Sequence, residues 1–318
     1  MKTVLVKLGG AALTNKQTTC TLSPNFDDLV EQISKIYHLN KSRQIQTIFI
    51  HGAGAFGHPQ AKQYQVKHGW IPSSATTIDS DNIKFGMTVT RQSVLLLHNQ
   101  LLERLQNHGV PVVSLSPFDH VQTSGGGEFP TESSTLHMVN RVKYLLKLGF
   151  TPLLHGDAVL DDQLGCTILS GDVIMHQLAT YFNKGNNNDD IMNGDTIERC
   201  VFVTDVKGIY TGDPKVAKIN NHAVSLIKHI PVFLNNDLHP VEYDQNNNTD
   251  DKIADVSGGI QGKVKWAKRV IMDSNVAEVI ICKAGSPEVA HSITLEPIDL
   301  NSPSINQLFL TVFTKHEL

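Results

Sequence analysis

Several short apolar runs in this chain end directly in a glycine-rich or acidic loop, and this repeated pattern constrains the fold more than any other feature. Val4–Leu8 leads into Gly9 and Gly10, and Thr47–Ile50 leads into the loop His51–His58. Segments with helical spacing separate the runs, which predicts repeated strand–loop–helix units. Such units form a mainly parallel sheet covered by helices on both faces. Ligands then bind beyond the carboxyl ends of the strands, where these loops lie.

The same periodicity gives approximate bounds for the other elements. The predicted strands are Val4–Leu8, Thr47–Ile50, Val110–Leu115, Thr151–Leu154, Cys200–Thr204, Ala277–Cys282 and an edge strand in Gln307–Phe313. The predicted helices are Phe26–Tyr37, Asp81–Asn107, Thr135–Leu148, Gly171–Tyr181 and Lys263–Asp273. Two Asn-rich stretches, 183–195 and 244–251, are typical of disordered surface insertions, and Ser124–Gly127 is typical of a mobile hairpin tip or loop.

Composition excludes several classes of function. The 318 residues carry a formal net charge of −4 and only 6% aromatic residues, so a nucleic-acid partner is not expected. No apolar stretch approaches the ~18 residues of a membrane-spanning helix, so no membrane partner is expected. The four cysteines form no CxxC pair, which favours free thiols and a cytoplasmic location over a zinc site or a disulfide framework.

The first loop contains Lys7, Gly9, Gly10 and Ala11. Glycines directly after a strand let backbone N–H groups approach a phosphate, and a lysine adds positive charge. The GxxxxGK[ST] pattern of a P-loop is absent. A tight turn with an exposed lysine is the alternative, but Lys7 lies inside an apolar run, where a lysine is unusual.

The second loop, His51–His58, contains three glycines, which again indicates backbone donors for an anion. A dinucleotide-binding fold is the weaker interpretation, because no acidic residue follows at the distance which that fold requires. His58 is placed to donate a hydrogen bond to a phosphate, and a nearby phosphate would favour its charged form. The alternative is a solvent-exposed histidine at the start of a helix.

Further along the chain, other loops carry glycine, carboxylate or lysine in the same position. Gly156 follows a strand, Asp172 opens a helix, and Asp205 follows the strand Cys200–Thr204. Gly259 precedes a helix that carries Lys263. Acidic side chains near phosphates can orient lysines or hold a hydrated Mg²⁺, although Asp172 can also serve only as a helix cap.

Taken in order, these loops resemble the amino-acid-kinase superfamily over nearly the whole chain, most specifically in TDVKGIYTGDP and SGGIQGK. The resemblance implies an open αβα sandwich, an α/β fold, as a single domain over residues 1–318. It also implies a phosphate-acceptor site and dimer contact in an N-terminal lobe, about 1–169, and an ATP site in a C-terminal lobe, about 170–318. A homodimer is therefore expected.

Within that superfamily the sequence looks most like the isopentenyl phosphate kinases, because His58 follows the loop GAGAFGH as in that family. That family more often has Ser where this chain has Ala11, which removes one possible hydroxyl contact. The resemblance implies ATP and Mg²⁺ as cofactors, a small phosphate as substrate and a place in isoprenoid precursor synthesis. It implies ATP contacts at Lys7, Gly9, Gly10, Ala11, Gly54, Asp205, Gly259 and Lys263.

The resemblance also implies residues for the acceptor and for catalysis. Ala53, His58 and Gly156 would contact the substrate phosphate, and Lys16 would stabilise charge in the transition state. Asp172 would orient Lys7 or Lys16, which is our inference rather than a family feature. A hydrocarbon tail needs an apolar pocket, for which the helix Asp81–Asn107 offers Phe85 and Val89 if they are not ordinary core.

Phosphoryl transfer to a phosphate needs no general base, because the acceptor oxygen is already ionised. The lysines, the histidine and the glycine loops fit that chemistry better than the recognition of an amino acid. Three alternatives stay open: a kinase of another small phosphate or phosphonate such as fosfomycin, a more distant glutamate, carbamate or uridylate kinase, and a non-catalytic nucleotide-binding regulator.

Overall fold

The computed structural model describes residues 1–71, 79–182, 195–212, 223–233, 260–300 and 302–316. Its strands are β1 Lys2–Leu8, β2 Ile45–His51, β3 Val112–Ser114, β4 Thr151–His155, β5 Asp157–Asp161, β6 Gly165–Leu169, β7 Thr196–Thr204, β8 Ile209–Tyr210, β9 Leu226–Ile227, β10 His229–Phe233, β11 Glu278–Lys283 and β12 Leu310–His316. Its helices are α1 Gly10–Leu13, α2 Phe26–Ser42, α3 His58–Gln63, α4 Ser80–Asn107, α5 Glu132–Lys147, α6 Gly171–Phe182, α7 Ile260–Asp273 and α8 Pro287–Ile293.

Eight of the strands form one sheet in the order β10-β12-β11-β7-β1-β2-β4-β3. Every neighbouring pair is parallel except β11 and β12. The predicted mainly parallel sheet is therefore confirmed. β2, β3 and β4, from the first half of the chain, lie on one side of β1, and β7 and the later strands of the sheet lie on the other. The strand order therefore reverses between β1 and β7.

Alternation along the strands builds a core on each face of the sheet. Leu5 packs in a cluster with buried residues of α5, α6 and α7. Val4 and Val6 point to the opposite face and pack with residues of α2, α4 and α8. Successive side chains of a strand point to opposite faces, so a run that is apolar throughout fits a sheet buried on both sides. The result is the predicted αβα sandwich.

The C-terminal segment corrects one prediction. Gln307–Phe313 was expected to contain an edge strand, but β12 lies inside the sheet, between β11 and β10. The edge position belongs to β10, which carries a proline at position 231 and was not predicted. Proline is tolerated in edge strands because it lacks an N–H group, so its presence is consistent with this place.

A hairpin of β5 and β6 outside the main sheet was also missed, because its first strand follows β4 after only one residue. Asp161, at the end of β5, accepts hydrogen bonds from the backbone N–H groups of Gly125 and Gly126 and from the hydroxyl of Thr123. The loop Ser124–Gly127, predicted to be mobile, is thus attached to the hairpin. Apart from Asp195, the Asn-rich stretches 183–195 and 244–251 lie outside the described residues.

The division into two lobes near residue 169 stays a prediction; residue 169 is the last residue of β6, two positions before α6 begins. None of the helices in the described ranges is both long and apolar enough to cross a lipid bilayer.

Candidate functional site

The loops after β1, β2 and β7 meet at the carboxyl edge of the sheet, where its strand order reverses. Gly9 and Gly52 begin the first two loops, and Asp205 begins the third. The N–H of Gly9 donates to the carbonyl of Val203 at 2.8 Å, and that of Gly52 donates to Leu8 at 2.9 Å. A crevice at such a reversal is where open parallel sheets bind ligands.

The first two loops touch backbone to backbone, and this contact requires glycine. A Cβ atom on Gly10 would collide with the nitrogen and Cα of Gly54. A Cβ on Gly52 would lie 2.8 Å from the nitrogen of Gly10. Gly54 also adopts a φ of +51°, a left-handed conformation that side chains disfavour. The glycines of the two motifs are therefore explained by mutual packing as well as by access to a ligand.

Four backbone donors of these two loops remain without an acceptor in the described part of the chain. Within the described ranges, the N–H groups of Gly10, Ala11, Ala53 and Gly54 have no hydrogen-bond acceptor in the protein. They belong to the starts of α1 and of a short 3₁₀ helix at Gly54–Phe56. Unpaired N–H groups at a helix start form a ready site for an anion.

Lys7 lies at the base of the crevice and is paired with Asp172. Only 6% of Lys7 is exposed, and its Nζ forms an ion pair with Oδ1 of Asp172 in the first turn of α6. A Cβ on Gly171 would lie 3.1 Å from Cε of Lys7, so the glycine leaves room for the lysine. Of the two lysines that Asp172 was predicted to orient, it contacts Lys7.

The other lysine, Lys16, pairs with Asp205 instead. Its Nζ lies 2.6 Å from Oδ2 of Asp205, and the side chains are 47% and 32% exposed. Burial by itself raises the pKa of Asp205, but the hydrogen bond and charge of Lys16 outweigh it and hold that pKa below its ordinary value. This pair bridges the loop after β7 and the segment that follows α1.

Lys263 on α7 completes the basic group. It is 8% exposed, and burial together with the charge of Lys7 lowers its pKa to about 8, against the opposing effect of Asp172 and Asp205. Lys16 also contributes to this lowering. Three lysines and two aspartates thus share one electrostatic neighbourhood at the sheet edge. Gly259, predicted to contact ATP, lies outside the described residues.

His58 lies at the start of α3, directly after the second glycine loop. Its side chain has an exposed face, yet the protein around it removes enough water to lower its pKa, and the charges of Lys7 and Lys263 lower that pKa further. Asp172 acts in the opposite direction. Without a bound anion, the neutral form of His58 is favoured, while the predicted charged form would need the phosphate itself.

The remaining predicted acceptor residues include Gly156, directly after β4, and Phe85 and Val89 on α4. Gly156 donates its N–H to the carbonyl of His51 at 2.9 Å, and a Cβ there would lie 3.1 Å from the nitrogen of Gly171. Phe85 is 60% exposed and packs edge-on against Tyr64, whereas Val89, one helical turn further, is partly buried. An exposed phenylalanine is not the ordinary core residue that its helical spacing allowed.

Sequence reasoning missed Thr14, which joins the two glycine loops. Its hydroxyl donates to the carbonyl of Gly10 at 2.8 Å and accepts from the N–H of Ala55 at 3.0 Å. It also missed Asp157, a buried carboxylate that accepts from Nε of Arg91 at 3.2 and 3.3 Å. Burial raises the pKa of Asp157 to about 6 against the charge of Arg91. Both residues lie close to the glycines of the predicted loops, but their hydrogen-bond partners come from other parts of the chain, which the sequence pattern does not show.

In the part of the chain that the structure describes, no three His, Cys, Asp or Glu side chains are grouped so that they could hold a metal ion. The two carboxylates nearest to the crevice, Asp172 and Asp205, each face a lysine. The arrangement is suited to binding and neutralising anions with cationic side chains and backbone N–H groups.

Several known proteins resemble this chain in sequence and in fold. A family model described as the amino acid kinase family matches residues 2–283. An isopentenyl phosphate kinase of Arabidopsis thaliana is 29% identical over 269 residues, which is 83% of this chain and 70% of that protein. An isopentenyl phosphate kinase of Methanocaldococcus jannaschii is 27% identical over 224 residues, which is 69% of this chain and 75% of that protein.

Solved structures agree at the level of the fold. X-ray structures of isopentenyl phosphate kinase superpose with a TM-score of 0.67 at 22% identity, covering 98% of this chain and 100% of theirs. A product complex of the T. acidophilum isopentenyl phosphate kinase gives 0.63 at 18% identity, covering 98% and 99%. The resemblance first seen in the loops is thereby confirmed.

Proposed function

This chain belongs to the amino acid kinase family, and we propose that it transfers the γ-phosphoryl group of ATP to isopentenyl phosphate. The observation that carries the proposal is the group of Lys7, Lys16, His58 and Lys263 around four unpaired backbone N–H groups. The choice of isopentenyl phosphate as the substrate is based on relatives named isopentenyl phosphate kinase. Two polyanions must be brought together in this reaction, and a crevice rich in cations and backbone donors lowers their repulsion.

The transfer breaks the bond between the γ-phosphorus and the β,γ-bridging oxygen, and it forms a bond from an acceptor phosphate oxygen to the same phosphorus. ADP and isopentenyl diphosphate result. Because the acceptor oxygen is already an anion near neutral pH, no side chain has to remove a proton. The contribution of the protein is to align the reactants and to neutralise the charge that they share.

We assign the nucleotide to the side of the crevice formed by the first glycine loop, Asp205 and Lys263. Lys7, Gly9, Gly10, Ala11 and Gly54 would contact its phosphates, and Gly259 is included by family resemblance. Lys7 lies between this side and the acceptor side, so it is placed to stabilise the transferring group. Lys16 would stabilise the same group if its exposed pair with Asp205 opens.

The acceptor phosphate would bind between Ala53, His58 and Gly156. Its charge would raise the pKa of His58, which the free protein holds low, and would favour the donor form. The hydrocarbon tail would lie along the face of α4 that carries Phe85 and Val89, since residues four apart share one face of a helix. An exposed Phe85 offers apolar area that a tail would cover.

Kinases of this type use Mg²⁺ to neutralise the β- and γ-phosphates of ATP. Within the described ranges, the crevice offers no set of carboxylates free of lysines that would hold the ion by itself. We therefore propose that Mg²⁺ enters with the nucleotide and is held chiefly by phosphate oxygens and water, as is usual for this ion. We further propose that the protein works in the cytoplasm as a homodimer.

Release of ADP across a panel of acceptors tests the proposal. The panel is isopentenyl phosphate, dimethylallyl phosphate, fosfomycin, glutamate, carbamate and UMP, each with Mg²⁺ and ATP. We expect turnover on isopentenyl phosphate. Turnover on fosfomycin alone would make the protein a phosphonate kinase, and ATP binding without turnover on any acceptor would make it a nucleotide-binding regulator.

A further inference from the structure

Two adjacent parallel strands end in the same dipeptide. β2 ends in His51 followed by Gly52, and β4 ends in His155 followed by Gly156, with the two histidines in register. Both histidines are fully buried. In each, the ring Nδ1 lies 3.2 Å from the carbonyl oxygen of the following glycine. Since a carbonyl can only accept, each Nδ1 carries the hydrogen and each Nε2 is left as an acceptor.

The Nε2 of His51 is hydrogen-bonded to a second buried histidine. It lies 3.0 Å from Nδ1 of His98 on α4, which must therefore be the donor. Nε2 of His98 then accepts from the hydroxyl of Ser114 on the edge strand β3 at 2.8 Å. Each hydrogen bond fixes the next, so the chain Ser114–His98–His51–Gly52 has one consistent direction, from the exposed edge strand to the second glycine loop.

Burial keeps these rings neutral, which this direction requires. It lowers the pKa of His51 well below its ordinary value and that of His98 to about 3. His155 is tilted against both rings at 4.7 and 5.5 Å between centroids, and Lys7 on β1 also acts on His51. On the other side, Arg91 and Asp157 face His155.

The orientation of one peptide bond follows from this chain. A trans peptide is planar, and its carbonyl and N–H point in opposite directions. With the carbonyl of Gly52 turned toward the ring of His51, the N–H of Ala53 points the opposite way. Ala53 is one of the four unpaired donors of the crevice. If this peptide flipped, an oxygen would take the place of the donor and would repel a phosphate.

We propose that His51, His98 and Ser114 are positioning residues, which fix the Gly52–Ala53 peptide so that its N–H faces the acceptor phosphate. This inference rests on the proposed function, because it assigns the anion at that loop to the acceptor. None of the three side chains needs to touch the substrate. His155 acts on Gly156 in the same way, but in the described ranges its Nε2 has no hydrogen-bond partner, so no further residue fixes its ring.

The test compares two replacements of His98, which lies behind the loop. His98→Leu removes both nitrogens, whereas His98→Asn keeps an N–H close to the position of Nδ1. We expect His98→Leu to raise the KM for isopentenyl phosphate about tenfold, the loss that one hydrogen-bonded interaction can cause, with little change in the KM for ATP. His98→Asn should recover most of this loss. A purely structural role would affect both substrates and would not be rescued by Asn.

A second readout does not depend on turnover. Nitrogen-15 NMR of the imidazoles should show His51 and His98 neutral with the hydrogen on Nδ1 between pH 6 and 8. Binding of inorganic phosphate, measured by calorimetry, should weaken in His98→Leu by a similar factor. Should that variant fail to fold, Ser114→Ala replaces it, because Ser114 is exposed; it should raise the same KM about twofold to threefold.

The outcomes separate this inference from the proposed function. The positioning role alone is overturned if folded His98→Leu or Ser114→Ala turns over isopentenyl phosphate with an unchanged acceptor KM. It is also overturned if the hydrogen is found on Nε2 of His51. If the wild type shows no turnover but phosphate binding weakens in the variants, the kinase proposal is overturned and the positioning role is supported. A wild-type protein that binds no phosphate overturns both.

Discussion

Lys7 and Asp172 form an ion pair between β1 and the first turn of α6, with 8% and 16% of their side chains exposed. Asp172→Asn would leave a buried ammonium without its counter-charge. Breaking a buried pair from one side is costly, so we expect the free energy of unfolding to fall by about 2–4 kcal/mol. Urea unfolding followed by tryptophan fluorescence at pH 7 measures it.

The pair of Lys16 and Asp205 provides the matched control, because it is the same chemistry at an exposed position. Asp205→Asn should change the free energy of unfolding by less than about 1 kcal/mol, since water screens exposed pairs. An equal loss in the two variants would mean that burial of Lys7 does not determine the strength of its pair.

The contact between Gly10 and Gly54 gives a second prediction. Gly10→Ala places a Cβ against the backbone of Gly54, so the two loops must separate. We expect ATP affinity to fall at least about tenfold, because the unpaired donors lose their arrangement. Equilibrium dialysis or calorimetry with ATP measures this loss.

Gly149→Ala is the control for that experiment. Gly149 adopts a φ of +82° with nothing within 4 Å of the added atom, so alanine costs backbone strain of about 1 kcal/mol without a collision. It should lower stability modestly and leave ATP affinity unchanged. A similar loss of ATP affinity in both variants would assign the effect to general destabilisation.

His58→Ala tests the acceptor site. A charge-assisted hydrogen bond contributes about 1.5–3 kcal/mol, so kcat/KM for isopentenyl phosphate should fall about tenfold to a hundredfold. The KM for ATP should change little, because His58 is proposed to bind the acceptor and not the nucleotide. Full activity of His58→Ala on isopentenyl phosphate would remove this residue from the acceptor site.

Much of the fold was predictable because each apolar run ends in a polar or glycine-rich loop, and segments with helical spacing separate the runs. The parallel sheet and the helices on both faces follow from that alternation, as β1 and β2 show. The interior place of β12 was not predictable, since it depends on β10, a short strand without strong periodicity that pairs with it from far along the chain. Local pattern carries no information about such long-range pairing.

For the site, the sequence pointed to residues of the glycine motifs and to Asp172, but not to the supporting residues Thr14 and His98. Lys7 and His58 are visible because a lysine in an apolar run and a histidine after a glycine loop are unusual. Thr14 and His98 are ordinary residues in sequence, and their hydrogen bonds exist only after α1 and α4 pack against the loop. The pairing of Asp172 with Lys7 rather than Lys16 also depends on that packing.

Thr14 supplies a further prediction, because one hydroxyl serves both loops. Thr14→Val has nearly the same shape but leaves the N–H of Ala55 without its acceptor, which costs about 1–3 kcal/mol of stability. The KM values for both substrates should rise, since both loops shift. Thr14→Ser keeps the hydroxyl and should resemble the wild type. Thermal unfolding and steady-state kinetics measure the two effects, and a Thr14→Ser variant as impaired as Thr14→Val would contradict this assignment.

Lys263 gives the pH dependence its sign. Burial and the charge of Lys7 lower its pKa to about 8 in the free protein, so Lys263 loses its positive charge as the pH rises through that value. The ammonium form attracts the phosphates of ATP and the neutral amine does not. Because kcat/KM reports groups of the free enzyme, kcat/KM for ATP should decline above about pH 8 relative to its value near pH 7.

The matched variant is Lys263→Arg, since a guanidinium stays charged throughout this range. Its absolute activity should be lower, because the fork of arginine differs in shape from an ammonium, but its profile should stay flat from about pH 7 to pH 10. Lys263→Met, uncharged at every pH, should match the level to which the wild type declines. A wild-type profile that is flat through pH 9, or the same inflection in Lys263→Arg, would show that another group controls nucleotide binding.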